Sequence, residues 1–138
     1  MARAGHPLLD ETITPERYAA CSHVVVSRRG KARGLVDAGL ETFTLERKIA
    51  AVVTSFPAAL AIAGGTDLVA LVPSWFAARM PDSLASFELP VETTRITISQ
   101  LWHPRLDADP AHRWLRGLVL TACKDLSPMS SDDNSPLR

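Results

Sequence analysis

A chain of 138 residues and 15.0 kDa is long enough for one domain with a real core, since domains of roughly 100 to 150 residues are the commonest size. An apolar fraction of 46% with 22% charged residues is that of a folding chain, which excludes wholesale disorder. Lys+Arg 15 against Asp+Glu 15 leaves a formal net charge of +0, so no long-range field draws the chain to nucleic-acid phosphates or anionic lipid.

The start, as far as Glu11, reads as an extended or loop lead-in. Thr14-Pro15-Glu16 then offers an N-cap and a proline at the first helical position, predicting a short helix from Pro15 to Cys21. His23-Val24-Val25-Val26-Ser27 is a β-branched run without polar alternation, the pattern of a strand buried on both faces of a parallel sheet. A basic, glycine-containing turn from Arg28 to Gly34 follows, and Leu35, Ala38 and Leu40 predict a helix ending near Phe43.

The pattern recurs further on. Arg47 to Val53 reads as a strand, Thr54-Ser55 as a cap, and Pro57 to Ala63 as a helix closed by Gly64-Gly65. Asp67 to Val72 is a third apolar strand, after which Pro73-Ser74 opens a helix that Pro81 ends. Phe87 to Pro90 reads as a short fourth strand and Arg95 to His103 as a longer one. The last helix has one apolar face, made by Ala111, Trp114, Leu115, Leu118, Val119, Ala122 and Cys123, behind Asp109 as N-cap and Pro110 at N1. From Ser127 the tail has little to bury and is expected to be disordered. Strands alternating with helices predict an α/β fold of parallel βαβ units.

No run approaches the ~20 apolar residues of a membrane span, and the N-terminus carries no signal-peptide stretch, so the cytoplasm is the expected compartment. Cys21 and Cys123 have no second Cys or His at ligand spacing. They read as reduced thiols, not as a disulfide or reactive site, and neither a metal nor a cofactor is expected. The catalytic signatures are missing too: no G-x-S-x-G elbow, no phosphate loop, no H-E-x-x-H and no C-x-x-C, so no catalytic residue is proposed and no enzyme is expected. His6, His23, His103 and His112 read as strand-end or solvent-facing residues. Trp75, Trp102 and Trp114 read as packing anchors, not as a base-stacking platform.

Two loops converge on a plausible site, because the carboxyl ends of neighbouring parallel strands line a crevice. Ser27, Arg28, Arg29 and Gly30 leave one strand, and Thr54, Ser55 and Phe56 leave the next. Hydroxyls and first-turn amides at a helix N-terminus suit a small carboxylate or similar anion, and an arginine adds a bidentate partner. The competing view is that Ser55 only caps its helix and the arginines are solvated.

The order of these elements carries a family likeness. It runs through Val-Thr-Ser-Phe-Pro-Ala-Ala-Leu-Ala-Ile-Ala (Val53 to Ala63) and Gly-Gly-Thr-Asp-Leu-Val-Ala-Leu-Val-Pro (Gly64 to Pro73). It ends on Leu-Trp-His-Pro-Arg-Leu-Asp-Ala-Asp-Pro-Ala-His-Arg-Trp-Leu-Arg (Leu101 to Arg116). From about Ala20 to Val119 the chain resembles the effector-binding region of LysR-type transcriptional regulators. The resemblance implies a parallel-sheet lobe similar to one half of a type 2 periplasmic binding protein fold, with a small-molecule effector between two lobes. It implies a lead-in over 1–13, effector-binding lobe two over 14–92, a return strand and C-terminal helix of lobe one over 93–126, and a tail over 127–138. Family members carry a winged helix-turn-helix and the first half of lobe one ahead of these elements, so the chain resembles a partial regulator that does not contact nucleic acid itself. Two functions follow from the resemblance. One is a ligand-sensing domain that acts on transcription through a DNA-binding part; the other is an interaction protein that pairs with intact regulators without ligand. The apolar face of the last helix further predicts a homodimer or association with a full-length regulator.

Overall fold

In the computed structural model, which describes residues 1–77, 80–93 and 98–125, the valine run forms the centre of a sheet. Ser22–Val26 (β2) is flanked by Lys48–Val53 (β3) and Leu68–Ala70 (β4), both parallel to it. The central position explains the unbroken apolar run, since His23 and Val24 have no open face. β3 lies at an edge and alternates, with Lys48, Ala50 and Val52 outward. The pairing of β2 with β3 slips by one residue between His23 and Val24, so Ala50 faces no partner, as in a bulge.

Leu35–Glu41 (α2) links β2 to β3, and Phe56–Gly65 (α3) links β3 to β4. Val36 and Leu40 of α2 pack in a cluster with Val69, whereas Ala59 and Ala63 of α3 pack in another with Val24 and Ala70. Val69 and Ala70 are successive strand residues and point to opposite faces. The two helices therefore cover opposite faces of the sheet, and the loops leaving β2 and β3 must diverge. Pro15–Ala20 (α1) adds Tyr18 and Ala19 to the α2-side cluster, and Thr14 Oγ1 accepts from the Arg17 amide as the Thr-Pro pair predicts.

The first residues are more than a lead-in. Ala2–Arg3 (β1) pairs antiparallel with Leu84–Ala85 (β5), Pro7–Asp10 forms a 3-10 turn, and Ala2 and Leu8 are buried in the core. Met1 exchanges both backbone bonds with Ala70, its amine donating to the Ala70 carbonyl at 3.0 Å and its carbonyl accepting at 2.9 Å. The strand expected at Phe87–Pro90 is replaced by β5, a few residues earlier. Phe87 and Leu89 pack as side chains against the α2-side cluster without entering a ladder. Gly64 and Gly65 stay inside α3. Thr66 ends it, its hydroxyl donating to the Ile62 carbonyl at 2.7 Å and accepting from the Leu68 amide. Ser74–Ala77 (α4) follows β4, and the remainder of the helix expected there reaches residues outside the described set.

The chain falls into two compact units, Met1–Arg95 and Ile96–Arg138. In the second, part of the strand expected over Arg95–His103 lies outside the described residues, and 98–103 is irregular. Pro104–Leu106 is a 3-10 turn, and Pro110–Asp125 (α5) follows with the Asp109 carboxylate accepting from the His112 amide at 2.7 Å. Polar contacts to α5 fix the irregular segment where a ladder was expected. Gln100 donates to the Arg116 carbonyl, and Arg116 donates to the carbonyls of Leu106 and Asp107 and lies 4.3 Å over the Trp102 ring. Trp102 is thus a partner of a guanidinium and not a core anchor. Trp114 is exposed, as are Leu115, Leu118 and Val119 along the same helix. The Trp75 side chain and the expected disordered tail from Ser127 lie outside the described residues.

Candidate ligand-binding site

The candidate crevice lies at the carboxyl ends of the neighbouring parallel strands β2 and β3; the strand order β3-β2-β4 reverses on the other side of β2, between β2 and β4. The Ser27 amide donates to the Val53 carbonyl at 2.8 Å, which joins the two loops at their roots. Arg28, Arg29 and Gly30 are exposed beyond it, and Gly30 has φ 68, a left-handed turn that glycine adopts without a Cβ clash. Arg28, Arg29 and the neighbouring Lys31 make no ion pair, whereas Arg33 is held by Glu46 at 2.7 Å and Glu41 at 3.5 Å. The cationic charge available to a ligand therefore sits on Arg28, Arg29 and Lys31.

The opposite wall is the N-terminus of α3. Thr54 and Ser55 are exposed, and Ser55 Oγ accepts from the Ala58 amide at 3.4 Å, a long and therefore weak cap. Pro57 has no N–H, and the Ala59 amide goes to the Ser55 carbonyl, so the Phe56 amide is the first-turn donor left for a ligand. The Phe56 ring packs on Phe76 with centroids 5.3 Å apart. What Phe56 offers the crevice is its backbone.

At the α2 end of the basic loop lies a polar cluster that the linear sequence hides. Asp37 accepts from Arg47 through both oxygens, at 2.7 and 2.8 Å, and its carboxylate also accepts from the Gly34 amide. The Arg47 side chain is 3% exposed. Its hydrogen bonds hold Asp37 below the usual carboxylate range. Beside this pair, the tyrosine and imidazole rings of Tyr18 and His23 lie 4.7 Å apart, the Tyr18 hydroxyl facing Arg47 and His23 Nδ1 buried without a partner. Burial pushes the Tyr18 phenol up to about 12 and His23 down to about 4. The visible signals were the three-residue spacing of Gly34 and Asp37 at a helix start and a basic residue just ahead of a strand. Neither reveals burial.

The histidines divide. His23 and His6 are buried, correcting the expectation of strand-end or solvent-facing positions. His23 Nε2 donates to the Tyr18 carbonyl at 2.9 Å, while His6 Nε2 contacts the Asp67 carbonyl and its Nδ1 accepts from the Leu8 amide. His103 is exposed and His112 half-buried. A cavity of about 510 Å³ lined by His6, Cys21, Ser22, Thr66 and Asp67 lies at the amino ends of β2 and β4. Several of its polar groups are already engaged: Asp67 by Arg3, the Thr66 hydroxyl by the Ile62 carbonyl, the Cys21 thiol by the Arg17 carbonyl, and both nitrogens of His6 by backbone. Burial also raises the Cys21 thiol, which leaves it a poor nucleophile. Among the described residues no helix is long and apolar enough to cross a membrane.

A parallel sheet with helices on both faces defines the chain as a lobe of the α/β type. Comparison with known proteins agrees. The LysR substrate binding domain family matches residues 1–124, and the chain belongs to that family. The HTH-type transcriptional regulator SyrM of Rhizobium meliloti (strain 1021) is 36% identical over 123 residues, spanning 87% of this chain and 38% of the relative. The HTH-type transcriptional activator NahR of Pseudomonas putida is 33% identical over 127 residues, 91% of this chain and 42% of the relative. The crystal structure of the regulatory domain of MexT, a transcriptional activator in Pseudomonas aeruginosa, superposes with a TM-score of 0.66 at 34% identity, covering 81% of this chain and 57% of that one. The chain thus spans well under half the length of these curated relatives, and its fold is periplasmic binding protein-like, as the resemblance implied.

Proposed function

We propose that the chain is the effector-binding part of a LysR-type transcriptional regulator, with residues 14–92 forming lobe two and 93–126 returning to lobe one. It senses a small anion, a carboxylate foremost, in the crevice formed by Ser27, Arg28, Arg29 and Gly30 on one loop and Thr54, Ser55 and Phe56 on the other. The observation that carries this reading is the pairing of unpartnered cations on one loop with exposed hydroxyls and a first-turn amide on the next, at the carboxyl ends of two neighbouring parallel strands. It acts in the cytoplasm, catalyses nothing, and reaches DNA only through a separate DNA-binding part, in keeping with a net charge of +0. A second copy covers the exposed face of α5.

Calorimetric titration of the folded chain with acetate, succinate and benzoate tests the site. Binding of at least one carboxylate is expected, and Ser55→Ala should weaken it by about 1 kcal/mol, the worth of one ordinary hydrogen bond. An Arg28→Ala, Arg29→Ala double substitution should weaken it further. No binding at millimolar ligand, with association to a full-length homologue, would replace this reading by that of a ligand-independent interaction protein.

A further inference from the structure

We propose that the Asp37–Arg47 ion pair positions the basic loop of the effector site, an inference that rests on the site reading above. The loop from Ser27 to Gly34 joins β2 to α2, and it is fastened at both ends to one strand. At its root the Ser27 amide donates to the Val53 carbonyl, the last residue of β3. At its far end the Gly34 amide donates to Asp37, and Asp37 is gripped through both oxygens by Arg47, the residue immediately before β3. The same strand runs on into Thr54 and Ser55, the opposite wall of the crevice. β3, about 20 Å from Arg47 to Val53 at the usual rise of an extended chain, therefore ties down both ends of the loop and runs on into the other wall.

Stability alone is a poor account of this pair. The Arg47 side chain is 3% exposed and that of Asp37 16%, so desolvation offsets much of their attraction. Its surroundings leave the buried His23 Nδ1 without a hydrogen bond, an arrangement that forgoes stabilisation. What a bidentate pair at this place supplies is geometry. Both Asp37 oxygens are engaged, Oδ1 by Arg47 Nε and Oδ2 by Arg47 Nη2 and the Gly34 amide. Asparagine has a single acceptor oxygen and cannot hold Arg47 and Gly34 in the same way.

The test compares Asp37→Asn and the milder Arg47→Lys with Val36→Ala, which removes buried volume from the same helix without touching the pair. Backbone order parameters for residues 28–34 are the first readout and benzoate affinity the second. In Asp37→Asn the loop order parameters should fall below ~0.6 while β2 stays rigid, with a smaller fall in Arg47→Lys and none in Val36→Ala. Benzoate should bind about tenfold more weakly to Asp37→Asn than to Val36→Ala. Should Asp37→Asn fail to fold, Arg47→Lys against Val36→Ala makes the same comparison. Loop order unchanged in both ion-pair variants, or lost equally in Val36→Ala, overturns the positioning role. A wild type that ignores benzoate and the other carboxylates counts against the site, and the order parameters still decide the role of the pair.

Discussion

His23 makes the fold sensitive to mild acid. Its Nε2 donates to the Tyr18 carbonyl, and its Nδ1 lies in the core with no partner, so a second proton would place a charge away from water. Burial is the main cause that drives its pKa from 6.5 to about 4, and the Arg47 guanidinium pushes in the same direction. A base whose folded pKa is depressed binds more protons when unfolded. Its contribution is therefore complete above 6.5 and shrinks as the pH falls toward 4. From these two values, stability should drop by about 2 kcal/mol between pH 7 and pH 5 on account of His23. The buried Met1 amine, lowered to about 5 by desolvation, adds loss of the same sign across that interval. Asp37 titrates only below it, since its pKa is lowered from 3.8. A comparison of variants separates the two bases. His23→Gln retains an N–H donor for the Tyr18 carbonyl and does not titrate, while the amine is common to both proteins. Urea unfolding at pH 7 and pH 5 should show the variant losing about 2 kcal/mol less than the wild type. Parallel losses in the two proteins would refute the argument and show that His23 admits water or a counter-charge on protonation.

Two further perturbations bear on packing and assembly. A Cβ at Gly39 would lie 2.7 Å from the Glu92 carbonyl oxygen and 3.1 Å from Val91, so Gly39→Ala should cost ~1–3 kcal/mol in urea unfolding despite the better helix propensity of alanine; a stabilised variant would mean that the 91–92 segment yields freely. Light scattering at micromolar concentration should report a dimer that Trp114→Glu with Leu118→Glu dissociates, because these exposed residues share one face of α5, and a monomeric wild type would remove that face as an interface.

Where local chemistry decides an element, the sequence could be read directly. Thr14-Pro15, Ser55 with Pro57, and Asp109-Pro110 each place a cap and a proline at a helix start, and each helix begins there. The unbroken valine run could be told from an alternating strand, and it is the central one. What was lost is what tertiary pairing decides. Ala2 and Arg3 carry no strand periodicity, and they form a strand because Leu84 and Ala85 come alongside. Phe87 and Leu89 have strand-like spacing, yet their side chains are taken up by a helix-covered cluster and their backbone enters no ladder. Gly64 and Gly65 look like a stop signal, but Thr66 supplies the side-chain bonds that end α3, so the glycines remain helical.

The candidate site was legible to the extent that topology makes it so. Parallel strands imply a crevice at their carboxyl ends, and Ser27, Arg28, Thr54 and Ser55 are placed there by chain order alone. The charge balance of the loop could not be read in that way. Arg28, Arg29, Lys31 and Arg33 look alike in sequence, and only three-dimensional proximity to Glu41 and Glu46 takes Arg33 out of the set that can meet a ligand. Asp37 and Arg47 were further from reach, since charged residues are expected on the surface and a nearly buried arginine is an exception that needs a partner. That exception sits where the basic loop meets the strand leading to Ser55. A polar group that a core accommodates at such cost is better explained by the geometry it holds than by the energy it returns.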